Sequence, residues 1–174
     1  MTGGERALTP PARAQKSPAA EPVRIRPAQE ADLGALAALC RACFTEPWSE
    51  ASLASALRGG EVLLVAASGG EIAGLIGMQA VCGEGYIHNV AVHPDFRRRG
   101  IGRALVEALL THARAAGIRR IALDVRASNA AARALYEGCG FTLAARRPGV
   151  YVKPREDGCT MLWHALPGPS DGER

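Results

Sequence analysis

Lysine is almost missing from this sequence: its 174 residues contain only Lys16 and Lys153, so arginine supplies nearly all of the positive charge behind a net +4. Arginine suits planar, bidentate recognition of phosphate. A basic balance of this size fits nucleic acid, a phosphorylated cofactor or a charged assembly alike. Aromatic residues are also few, with two Trp, three Tyr and three Phe. They are not interleaved with basic residues, which argues against a stacking platform for nucleic acid. No apolar run approaches the roughly 20 residues that span a bilayer, and no apolar stretch near the N-terminus ends at a small-residue cleavage site. The reading is a soluble, cytoplasmic protein with no membrane partner. Cysteine is present but odd in number and scattered, at positions 40, 43, 82, 139 and 159, which argues against a disulfide framework. Cys40 and Cys43 form a C-x-x-C with no second pair or histidine cluster, so no metal is implied and buried apolar thiols are expected. There is no internal repeat.

Apolar residues make up 48% of the chain, enough for one domain with a proper core. Residues 1–22 are rich in Ala, Pro, Gly, Arg and Thr without apolar periodicity and read as a disordered extension. Residues 167–174 read as a flexible tail, which leaves 23–166 for the domain. Elements alternate within it. A strand is expected at 23–26 and a helix from 29 to about 45, with Leu33, Leu36, Leu39, Cys40 and Cys43 on one face. Pro47 ends that helix, and Ser49 can cap a short second one carrying Leu53 and Leu57. Strands follow at 61–67 and 71–82 around Gly69-Gly70, then at 86–92. A Pro/Arg/Gly-rich turn leads into a helix at 102–116, with Leu105, Leu109 and His112 on one side and Gly117 as terminator. A strand at 120–125, a helix at 130–137, a strand at 141–145 and a seventh at 160–166 complete the order. The fourth and fifth strands, joined through a helix, form a parallel right-handed crossover. The earlier strands pair antiparallel. The fold class is therefore α/β, with a mixed central sheet of six to seven strands flanked by about four helices.

The sharpest segment is Arg97-Arg98-Arg99-Gly100-Ile101-Gly102, between a strand and a helix. The chain must leave several backbone amides unpaired there, and glycines at 100 and 102 clear the approach to them. With the partial positive charge of a helix N-terminus, the turn can make a nest for a pyrophosphate, the alternative for a basic turn being a solvated loop. It lacks the G-K-[ST] ending of a Walker loop and the G-x-G-x-x-G spacing of a dinucleotide fold.

This turn resembles the R/Q-x-x-G-x-G/A loop of the GNAT superfamily of N-acetyltransferases, and its setting agrees. Asn89-Val90-Ala91-Val92-His93-Pro94 precedes it, and the run from Leu123-Asp124-Val125-Arg126 to Asn129 follows, with Ala134-Leu135-Tyr136-Glu137 and Gly140-Phe141 beyond. That succession, with Pro47-Trp48-Ser49-Glu50 and Arg155-Glu156-Asp157, is similar to the branch that acetylates the N-terminal alanine of a ribosomal protein. The resemblance spans 23–166 and implies the GNAT fold and acetyl-CoA as co-substrate. It implies that the backbone of Val90, Ala91 and Val92 pairs with the pantetheine arm, and that amides of Arg98, Arg99, Gly100, Ile101, Gly102 and Arg103 hold the pyrophosphate. Asn129 matches the asparagine that bonds the cofactor near its thioester.

Tyr136 matches the family's general acid. The departing thiolate belongs to a thiol of pKa about 8.5, and a phenol beside it can protonate the sulfur as the C–S bond breaks. The base is open. The branch places a glutamate where this chain has Asp124, one methylene shorter, which can act through water, hold the substrate amine, or simply end a strand. Glu84 is the other candidate, or an ordinary exposed hairpin residue. An α-amine of pKa about 8 needs little help. His88 and His112 read as satisfied or half-buried histidines, Trp48 and Trp163 as core or groove aromatics. The implied acceptor is the α-amino group of a protein, an alanine of a small-subunit ribosomal protein. Arg146, Arg147, Tyr151 and Arg155-Glu156-Asp157 lie where the branch closes over its peptide, although Tyr151 lacks the neighbouring tyrosine of that branch. A small-molecule or antibiotic acetyltransferase and a non-catalytic acyl-CoA sensor are the competing readings.

Overall fold

The computed structural model describes residues 22–165. The expected N-terminal extension, apart from Pro22, and the expected tail lie outside the described residues.

Seven strands form one sheet in the order β1-β2-β3-β4-β5-β7-β6. They are β1 (Arg24–Pro27), β2 (Val62–Ser68), β3 (Glu71–Val81), β4 (Glu84–Val92), β5 (Arg120–Arg126), β6 (Thr142–Val152) and β7 (Arg155–His164). Four α-helices join them: α1 (Leu33–Cys43), α2 (Glu50–Arg58), α3 (Ile101–Ala115) and α4 (Ala130–Glu137). β4 and β5 are parallel, linked through α3, and the other pairs are antiparallel. The mixed sheet and the helix count match the expectation.

The run Val62-Leu63-Leu64-Val65-Ala66 is apolar at every position because both faces of β2 are covered. Leu64 and Ala66 pack into the core under α3, while Leu63 and Val65 pack under α1 and α2. α3 presents Ile101, Leu105, Val106, Leu109, Leu110 and Ala113 to the sheet at helical spacing. His112, expected on that packed side, is exposed one position before Ala113. Cys40 is buried, as expected, and Cys43 is half-buried with its thiol 3.4 Å from Val92 O.

Two boundaries differ in an instructive way. The expected long first helix opens as a 3-10 turn, Glu30–Asp32, because Asp32 turns back to accept from Gln29 N at 2.8 Å and from Arg26 at 2.7 and 2.8 Å. β6 runs to Val152 and β7 starts at Arg155, so the final hairpin is far longer than its sequence suggests. Pro148-Gly149 reads as a break, but the ladder resumes beyond it at Tyr151↔Glu156.

α1 and α2 cover the β1–β4 half of their face, where their core partners are Leu63, Val65, Leu75 and Ala91. Over β5, β7 and β6 that face carries Asp124, Thr160 and Arg147 instead. Apolar Ile121, Leu123 and Val125 alternate with Asp124 and point into the opposite core. A polar groove thus opens beside the centre of the sheet.

Candidate active site

The parallel pairing of β4 and β5 stops at Ile87↔Leu123, although β4 continues to Val92 and β5 to Arg126. Beyond that point each strand keeps its outer neighbour, β3 for β4 and β7 for β5. The strands therefore splay, and the inner edge of Asn89–Val92 faces a gap rather than a strand. An extended acyl chain fits such an edge as an added strand would.

At the end of the splay lies the arginine–glycine turn. Arg97 N donates to Pro94 O, and Ala104 N to Gly100 O. None of the six amides between them, 98 to 103, donates to a protein acceptor among the described residues. Arg98 and Gly100 take φ values of 64° and 77°, which turn successive amides toward one side. A Cβ on Gly100 would meet nothing within 4 Å, so the approach is open. This is the arrangement a diphosphate needs, and the residues present fit it. The guanidinium groups do other work: Arg97 Nε bonds Val92 O at 3.1 Å, Arg99 lies over Phe96, and Arg103 reaches Gly138 O at 3.2 Å.

Asn129 caps α4, its Oδ1 accepting from Ala132 N at 3.1 Å. The carboxamide oxygen is thereby engaged and its NH₂ remains to donate. Two turns on, Tyr136 is buried against Phe141, ring centroids 5.9 Å apart. Burial pushes its phenol up to about 12. Its hydroxyl has no hydrogen-bond partner in the protein among the described residues. A phenol so placed keeps its proton across the neutral range and has it free to give.

Asp124 is less free. Oδ1 accepts from Thr160 Oγ1, and Oδ2 accepts from Tyr86 Oη at 3.1 Å and from Arg147 Nη1 at 3.0 Å. Burial first, and then the Asp124 charge, push Tyr86 up to about 12, so it acts as a donor here. Glu84 lies at the far end of β4, exposed and paired with Arg120 at 2.9 Å. It sits on the paired side of the β4–β5 junction, level with Arg120, and belongs to the surface.

The β6–β7 hairpin is pinned to the end of β5. Arg126 stacks on Tyr151 at 4.3 Å and donates to Lys153 O at 2.9 Å and to Glu156 at 3.3 Å. The other Glu156 oxygen takes Ser128 N at 2.6 Å. Sequence reasoning missed Tyr86, Thr160 and the pinning role of Arg126. Tyr86 and Asp124 are 38 residues apart and meet only through the parallel register.

Comparison with known proteins agrees with this geometry. The family model described as Acetyltransferase (GNAT) family matches residues 33–141. Ribosomal protein bS18-alanine N-acetyltransferase of Escherichia coli (strain K12) is 41% identical over 123 residues, 70% of this chain and 81% of that one. The protein of the same description from Haemophilus ducreyi is 30% identical over 125 residues, covering 72% and 86%. The crystal structure of the ribosomal-protein-S18-alanine N-acetyltransferase from Escherichia coli superposes with a TM-score of 0.79 at 33% identity, covering 87% of this chain and 99% of that one.

Proposed function

The chain belongs to the acetyltransferase (GNAT) family, and from that premise we propose that it moves the acetyl group of acetyl-CoA onto the N-terminal α-amine of a protein, an alanine of a ribosomal protein. The observation that carries the cofactor half is the run of six unpaired amides, 98 to 103, at the mouth of the β4–β5 splay. The acceptor half is supported by relatives of that stated activity, which match across about 70% of the chain.

In this reading the amides of Arg98 to Arg103 take the pyrophosphate and the edge of Val90, Ala91 and Val92 takes the pantetheine arm. Asn129 donates its NH₂ near the thioester. The amine attacks the carbonyl directly, and the β4 amide near Val90 steadies the oxyanion. Tyr136 protonates the leaving sulfur. Asp124, with Tyr86 and Thr160 fixing its rotamer, receives the ammonium or its proton. Holding the two reactants in line supplies much of the acceleration. Residues 23–166 form the catalytic domain. Five free cysteines suit a reducing compartment such as the cytoplasm.

The test uses two peptides of one sequence, each with an internal lysine, one with its N-terminus free and one with it blocked. Acetylation of the first alone, located by fragmentation to the N-terminal residue, is expected. Equal modification of the blocked peptide would move the acceptor to a side-chain amine.

A further inference from the structure

A cluster that the acetyl-transfer reading leaves unused sits directly beside the splayed edge of β4. β3 and β4 pair as Gly77↔Asn89 and Met78↔Ile87, so His88 has no partner in the ladder and is the extra residue of a β-bulge. Its side chain is enclosed. A Cβ added to Gly77 on β3 would collide with His88 Cε1, so only glycine leaves room for the ring. The indole of Trp48 stacks on it with centroids 4.7 Å apart and planes 11° from parallel. Nε2 lies 2.7 Å from Glu61 Oε2, close but out of line for a straight hydrogen bond, and Nδ1 is buried without a partner.

This is a costly way to fill space. Buried polar atoms are nearly always satisfied, and a branched apolar side chain would occupy the same volume without an orphaned nitrogen. What an aliphatic residue cannot do is stack on an indole and reach a carboxylate at once. Trp48 belongs to the connection between α1 and α2, and it also borders an open depression of about 620 Å³, so packing alone does not hold it. Glu61 lies just before β2. The imidazole therefore ties together the α1–α2 connection, the approach to β2, and the bulge whose next residues form the open edge.

We propose that His88 is a positioning residue: clamped between Trp48 and Gly77 and set against Glu61, it fixes the β4 bulge and hence the aim of the Asn89–Val92 edge toward the thioester. The proposal rests on that edge receiving the acyl arm. The clamp works with a neutral ring. Burial holds the imidazole below its usual range even though the Glu61 charge opposes this. Glu61 is the charged group acting on it, while Trp48 and Gly77, which face it from the connection and from β3, carry none. A second proton would sit on Nδ1, which has no acceptor.

A bulge that shifts by about 1 Å misaims the thioester without disturbing the pyrophosphate loop, and such misplacement costs up to about a hundredfold in rate. The test compares wild type with His88→Ala in the full chain. Expected are a ten- to hundredfold fall in kcat, an acetyl-CoA affinity that falls far less, and faster amide exchange confined to 88–92. Wild-type kcat with unchanged exchange at 88–92 overturns the proposal, as does a loss of affinity equal to the loss of kcat. Should His88→Ala fail to fold, His88→Gln keeps the volume and the reach to Glu61 but loses the ring stack, and the same criteria apply. The exchange readout needs no acceptor. A wild type silent with every amine would sink the transferase reading, while protected amides at 88–92 in the variant would sink this one.

Discussion

Arg147 donates to Asp124 Oδ2 across 3.0 Å, so the Asp124 carboxylate beside the β4–β5 splay already holds a cation. The carboxylate's rotamer is fixed by Thr160 and Tyr86 and its present partner is a half-exposed guanidinium, so in the proposed reaction a protonated amine would compete with Arg147 for it.

Asp124→Asn should lower kcat/KM for the acceptor by about 10²-fold while leaving acetyl-CoA affinity nearly unchanged, measured by steady-state kinetics and direct titration. Arg147→Gln should change stability by less than about 1 kcal/mol, because the pair is partly solvated. Wild-type kinetics in Asp124→Asn would leave the residue a role in holding β5, β7 and β6 together and nothing more.

Tyr136→Phe removes one oxygen from a buried ring and leaves its packing on Phe141 in place. Turnover should fall by about 10²-fold or more without a comparable loss of acetyl-CoA affinity. The phenol is pushed up to about 12, so its ionisation should contribute no alkaline loss of activity below that region. A pH–rate profile of wild type and variant checks both points. Undiminished turnover in the variant would remove Tyr136 from the chemistry.

Gly100 stands at φ 77° with space around its missing Cβ, so alanine would strain the backbone without a clash. The strain is about 1–2 kcal/mol. Gly100→Ala should weaken acetyl-CoA binding by re-aiming the neighbouring amides and should leave the pKa-dependent steps alone. Calorimetric titration with coenzyme A reads this directly, and unchanged affinity would argue against the turn as the diphosphate site.

His88 should make the fold acid-sensitive, with the direction set by its burial. Its pKa is lowered in the folded chain, so the unfolded chain binds the proton more readily. The stabilisation is complete above about pH 6.5, the unfolded value, and is lost as pH falls from there toward the depressed folded value. Urea midpoints measured across that window should fall with acid in wild type and fall less in His88→Gln. Parallel curves would assign the acid sensitivity elsewhere.

Local features were legible in the sequence wherever a few adjacent residues decide them. Ser49 caps α2 through Ser52 N, Gly117 ends α3 at φ 72°, and the 97–102 turn forms the open nest its glycines suggest. α4 has the expected bounds, Ala130–Glu137. Features that depend on register were not legible. The Tyr86–Asp124 bond needs the parallel pairing of β4 with β5, and the His88–Glu61 contact needs β4 and the start of β2 brought level across β3. The long β6–β7 hairpin was hidden because its exposed, arginine-rich strand has no apolar alternation and is interrupted at Pro148-Gly149. Asn129 caps α4, which motif resemblance alone does not reveal.

The most direct measurement is thiol release from acetyl-CoA by the wild-type chain with two kinds of acceptor, a peptide with a free N-terminal alanine and a panel of small amines. The account predicts release with the peptide and a gain of one acetyl group on its N-terminus. Release with the small amines and none with the peptide would contradict it.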